Sequence, residues 1–147
     1  MSPVGVASYR GGMSTYTSRH IVETIDRDPA DVYAYVSDPR TLPAWASGLS
    51  TTISLVDDEW VAESDLGRIT VEFAPDNPYG VLDHVVTLPD GTQVTNPLRV
   101  VANGDGSDVV FSLFQLPPAD LDAFEADAAA VTRDLARLKV LLESDAQ

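Results

Sequence analysis

The stretch RHIVETIDRDPADVYAYVSDPRTLPAW, Arg19 to Trp45, decides the fold. From Arg19 to Arg27, Ile21, Glu23 and Ile25 alternate with Val22, Thr24 and Asp26. Alternation with β-branched residues predicts a strand with one buried face. The period then changes. Asp28 can accept from the free amides of a new helix, Pro29 is preset for the first helical position, and Asp31 adds negative charge near its positive end. Val32, Tyr35 and Val36 share a face, with Tyr33 beside them, until Pro39 pushes Asp38 out of the helical region. Asp38 and Pro39 repeat the start signal. A second short helix with Leu42 and Trp45 one turn apart is expected, closing at Gly48.

Beyond Trp45 the chain turns to strands. Six candidates follow: Thr51 to Val56, Glu59 to Ser64, Arg68 to Phe73, Val81 to Leu88, Gln93 to Val101 and Asp108 to Leu116. Asp57-Asp58, Leu66-Gly67, Pro75 through Gly80, Asp90-Gly91 and Asn103 through Gly106 supply the turns between them. Such short connections leave no room for crossover helices, so the sheet is antiparallel. Strand parity places Trp60, Ala62 and Ser64 inward on one strand and Ile69, Val71 and Phe73 on the next. Leu82, His84, Val86 and Leu88 share a face, as do Val94, Asn96, Leu98 and Val100. A three-residue loop, Asp90-Gly91-Thr92, keeps these apolar faces in step and sets His84 opposite Leu98 and diagonal to Asn96.

The last element is the longest. Leu121, Phe124, Ala128, Val131, Leu135, Leu138 and Leu142 recur at spacings of three and four, predicting a helix from Ala119 to about Glu143. At 1.5 Å per residue it measures about 37 Å. Asp120 and Asp122 suit its first turn; Arg133, Arg137 and Lys139 gather toward its negative end. The stripe packs against the chain's own sheet or, as the minority reading, forms a coiled-coil seam.

Composition bounds the rest. The 147 residues, 44% hydrophobic, suit one core. The expected layout is an extension over residues 1–17, rich in Ser, Gly, Thr and Tyr, and a single domain over 18–147; either Met1 or Met13 is the native start. A formal charge of −14 without clustered Lys or Arg argues against nucleic acid and anionic membranes. With no cysteine, disulfides, thiolate nucleophiles and cysteine metal sites are excluded. Neither a membrane-length apolar run nor a signal-peptide pattern is read, so a cytoplasmic location is expected. No metal or cofactor is expected, and monomer and homodimer both stay open.

A strand, two short helices, an antiparallel meander and one long terminal helix, with the Asp28-Pro29 start, the Asp38-Pro39 step and Trp45, resemble the SRPBCC or START-like superfamily. The likeness covers about residues 18 to 144 and looks closest to bacterial polyketide cyclase/dehydrase and lipid-transport proteins. It implies an α+β helix-grip fold: a bent antiparallel sheet of about seven strands wrapped around the C-terminal helix, leaving a cavity for a lipid, polyketide or aromatic molecule. No nucleophile or metal set comes with the resemblance, so none is carried over.

Candidate ligand contacts therefore rest on parity: His84, Asn96, Trp45, Trp60, Tyr35, Phe73 and Tyr79. His84 is either a hydrogen-bonded cavity histidine or a proton shuttle. Asn96 orients a ligand carbonyl or satisfies backbone groups beside Pro97; the four inward aromatics line a cavity or fill a core; Tyr79 sits at a rim or caps an edge. The leading expectation is a binder of a hydrophobic small molecule. The alternatives are a cyclase/dehydrase-like enzyme using His84 and a regulatory or chaperone-assisting protein that binds partners.

Overall fold

The computed structural model describes residues 14–46 and 52–144. The helix end expected at Gly48, the strand start at Thr51 and both candidate start methionines lie outside the described residues. Strand β1 spans Ser18–Ile25 and buries Ile25 fully, while Val22 on the other face stays half exposed. Helix α1 covers Pro29–Val36; Asp28 caps it, its Oδ1 accepting from Ala30 N at 2.8 Å. Asp38 repeats the device, accepting from Arg40 N at 3.1 Å. What it opens is a 3-10 turn, Pro39–Thr41, before the single α turn of α2, Leu42–Trp45. Leu42 and Trp45, one turn apart, are both buried.

Seven more strands follow: β2 Ile53–Val56, β3 Glu59–Ser64, β4 Gly67–Phe73, β5 His84–Thr87, β6 Gln93–Asn96, β7 Leu98–Asn103 and β8 Gly106–Phe114. They pair antiparallel in the orders β2-β3-β4-β5-β6 and β1-β8-β7. The β2–β3 turn is tight, with positive φ at both Asp57 and Asp58 (51° and 68°), the conformation a two-residue hairpin needs. Burial on β3 departs from clean alternation, because Val61 and Ala62 are both buried and Trp60 is only partly so.

The single strand expected over Gln93 to Val101 is two. Pro97 has no N–H for the ladder, and the chain changes partner across it, from β5 to β8. This break raises the strand total from about seven to eight. The expected strand Val81 to Leu88 is divided too. Its first part crosses to β7: Leu82 N donates to Leu98 O at 2.8 Å and Val100 N to Gly80 O at 2.9 Å. The two backbones meet so closely that a Cβ on Gly80 (φ 74°) would lie 2.2 Å from Val100 O. Asp83 closes the corner. Its Oδ1 accepts from Leu98 N at 2.9 Å, while the Arg99 guanidinium donates to both carboxylate oxygens at 2.8 Å.

The β5–β6 hairpin also corrects the expected register. Leu88 N donates to Thr92 O and Asp90 Oδ1 accepts from Thr92 N, so the loop is Pro89, Asp90 and Gly91. Val86 therefore pairs with Val94, and His84 with Asn96 rather than Leu98. A shift of two residues leaves every side chain on its expected face.

Helix α3, Leu121–Ser144, lies against the sheet and buries Phe124, Ala128, Leu135, Leu138 and Leu142; Leu121, counted in the expected stripe, is 59% exposed. Asp120 caps its start through Ala123 N at 2.8 Å. Cross-chain contacts tie it down. The Arg19 guanidinium meets the Glu125 carboxylate through bonds of 2.6 and 2.8 Å, and Lys139 Nζ donates to Thr24 O at 2.8 Å. Near the helix end, where backbone carbonyls lack partners, Arg27 Nη1 donates to Leu142 O at 2.6 Å. Among the described residues no helix is long and apolar enough to cross a membrane.

Candidate functional site

Between α2, the sheet and α3 lies a recess of about 230 Å³. Leu42 and Trp45 come from α2, His84 and Val86 from β5, Asn96 from β6, Phe111 from β8, and Val131, Asp134 and Leu135 from α3. Strand alternation carries His84 and Val86 to one face, and the ladder brings Asn96 directly across from His84. Helical spacing does the same on the other wall, where Val131, Asp134 and Leu135 are three and four residues apart.

His84 is buried, 5% exposed, with its ring 4.9 Å from the Phe73 ring and 6.4 Å from that of Phe111. Its Nδ1 stands 3.1 Å from Leu82 O. A carbonyl only accepts, so Nδ1 carries the proton and Nε2 keeps its lone pair. Burial pushes the imidazole below its ordinary pKa; the Leu82 carbonyl and the Asp83 charge act in the opposite sense and are outweighed. His84 is thus neutral at pH 7.

Asp134 and Trp45 also line the recess. Asp134 lies 3.5 Å from Arg137, whose Nη1 donates to Trp45 O at 3.0 Å and ties α3 to the end of α2. Trp45 itself is 4% exposed, and its indole Nε1 is buried with no hydrogen-bond partner. Leaving such a donor unpaired costs about 1–3 kcal/mol.

The recess brings together Trp45, His84 and Asn96 of the seven expected contacts. Phe73 reaches it only through the His84 ring; with Trp60 it borders a separate depression of about 340 Å³ that also takes in Ser37 and Pro39. Tyr35 lines a third hollow beside Arg27 and Leu142. Tyr79, 80% exposed, borders an outer groove with Pro29, Tyr33 and Pro78. The sequence reading did not count the apolar walls Leu42, Val86, Phe111, Val131 and Leu135 as ligand contacts, and among polar lining residues it missed Asp134. Its signal was position, an acidic residue three places after Val131 and next to Leu135 on the helix's apolar stripe. Among the described residues no group of three or more His, Asp or Glu is placed to hold a metal ion.

Residues 16–143 match the family model described as "Polyketide cyclase / dehydrase and lipid transport". No curated protein matches the chain in sequence. Solved structures share the fold at low identity. Protein MLL2253 from Mesorhizobium loti superposes with a TM-score of 0.67 at 13% identity, over 87% of this chain and 98% of its own. Ara h 8.0201 gives 0.66 at 14% identity, over 87% and 98%. DynU16, a protein of the dynemicin biosynthetic locus, gives 0.64 at 15% identity over 87% of this chain, which spans about half (48%) of that protein.

Proposed function

We propose that this chain, which belongs to the polyketide cyclase/dehydrase and lipid-transport family, holds a small hydrophobic molecule in the recess between α2, the sheet and α3. The carrying observation is the recess itself, about 230 Å³ walled mainly by Leu42, Trp45, Val86, Phe111, Val131 and Leu135. A cavity of roughly 150 Å³ with such walls accommodates one benzene ring. The space here suits a substituted ring or a short branched chain.

Family membership supports a hydrophobic ligand without naming one, and the recess adds a size. Binding to the folded state alone raises stability by about 2.7 kcal/mol when free ligand is one hundred times Kd. For a domain of this length that is a rise of roughly 5–10 °C in the denaturation midpoint. A thermal screen against apolar ring compounds is expected to find such shifts. Midpoints unmoved across the library, with no small molecule co-purifying by mass spectrometry, would remove the reading.

A further inference from the structure

We infer that the recess selects a neutral ring bearing a hydroxyl group, whose O–H is donated to His84 Nε2. The inference rests on the binding role just proposed and names the chemistry of the ligand. Its ground is the hydrogen-bond state of one buried side chain.

His84 Nδ1 is committed to Leu82 O, 3.1 Å away, which fixes the tautomer and leaves Nε2 as an acceptor. Among the described residues no group is recorded as donating to Nε2. His84 is 5% exposed and lines the recess, and with Nδ1 committed, Nε2 is the hydrogen-bonding group that its ring has left to offer there. An acceptor held there disfavours a pure hydrocarbon, which would cover it and leave it unpaired. It rewards a ligand that brings a donor.

Charge narrows the class further. Burial keeps the imidazole neutral at pH 7, so Nε2 has no proton to offer a carboxylate or phenolate. Asp134, paired with Arg137 at 3.5 Å, is the acidic residue on the α3 wall of the same recess. An anion meets the wrong groups. Asn96, across the ladder from His84, has a side-chain amide able to donate to the hydroxyl oxygen while the hydroxyl donates its own hydrogen bond to Nε2. The aromatic rings of Trp45 and Phe111 favour a flat partner.

The test uses three probes of one shape, 4-ethylphenol, 4-ethyltoluene and 4-ethylbenzoate, titrated into the full chain at pH 7.5 by calorimetry. The phenol is expected to bind about tenfold more tightly than the hydrocarbon, and the carboxylate more weakly than either. In His84→Phe, which keeps a flat ring and removes the acceptor, the preference for the phenol should fall below about twofold. A wild-type measurement guards against a variant that does not fold. The histidine ring ¹⁵N resonance of Nε2 should move on adding 4-ethylphenol and stay in place with 4-ethyltoluene. Equal affinity for phenol and hydrocarbon, an unmoved Nε2 resonance, or a preference that survives in His84→Phe overturns the inference and leaves the binding role standing. Failure of all three probes, together with unmoved midpoints in the library screen, overturns both.

Discussion

Asp83 and His84 are neighbours in the chain, yet their polar atoms are used in opposite ways. Asp83 stands at the corner where the chain crosses from β5 to β7, and both its carboxylate oxygens are engaged, by Leu98 N and by Arg99. His84 lines the recess with Nδ1 engaged by Leu82 O and, among the described residues, no recorded partner at Nε2. At the corner polar chemistry replaces ladder bonds that Pro97 and the change of partner interrupt, so the groups there hold the fold. Beside the recess, and among the described residues, His84 Nε2 has no recorded donor, and that cost is tolerated where a ligand is proposed to sit. A corner substitution should therefore reduce stability, whereas one at the recess should alter binding and pH response.

The corner gives the largest expected effect. Gly80→Ala places a Cβ 2.2 Å from Val100 O at a φ of 74°, where both the clash and the left-handed backbone are unfavourable. A loss of about 3 kcal/mol is expected by urea denaturation. A loss under about 1 kcal/mol would show that the 80–82 and 98–100 segments part easily, and would undo the rigid half of the comparison.

Asp83→Ala comes next, at about 2 kcal/mol, because it leaves Leu98 N without its acceptor and Arg99 without its counter-ion. Much of the ion pair is exposed, so the amide bond dominates that figure. The effect should depend on pH. Arg99 and, to a smaller degree, Leu98 N hold the Asp83 carboxyl below its ordinary pKa in the folded state. Its contribution is therefore complete above the unfolded carboxylate value near 3.9 and is lost as pH falls toward the folded value. The gap between wild type and variant should narrow at acid pH, since a protonated carboxyl loses its charge-assisted bond to Arg99 while still accepting from Leu98 N. A constant gap down to pH 2 would mean that Asp83 acts through packing.

The same two regions show what the sequence made legible. Caps at Asp28 and Asp38 are local chemistry, and they were readable because each partner lies two residues away. Parity placed His84 and Asn96 on one face because a register shift of two residues does not invert a strand. It missed their direct pairing, since the loop is set by Asp90 accepting from Thr92 N, one of several turns the sequence allows. Pro97 was visible, but Val94, Asn96, Leu98 and Val100 keep their alternation across it, so the break was read through. Trp60 and Tyr79 lay beyond such reasoning. Parity gives a face and not a position along the bent sheet, and Trp60 lies on another depression while Tyr79 projects from an outer groove. Asp134 was not singled out, because the stripe was read from its apolar members and Asp134, next to Leu135, is not one of them.

The smallest expected effect tests the recess half of the comparison. His84 titrates below its ordinary value when folded because burial disfavours the imidazolium, and Asp83 beside it and Asp134 across the recess do not reverse that. The unfolded chain therefore binds a proton here more readily than the folded one. Stability contributed by the neutral state is complete above about pH 6.5 and falls as pH drops toward the folded value. His84→Gln keeps a polar side chain of similar reach and removes this titration. At pH 7.5 its stability should lie within about 1 kcal/mol of wild type, because no ladder bond is lost. As pH falls below about 6.5, the wild-type midpoint should decline more steeply than that of the variant. Parallel curves would place His84 in contact with water or with a compensating charge, and the contrast between an occupied corner and an unoccupied recess would fail at its second member.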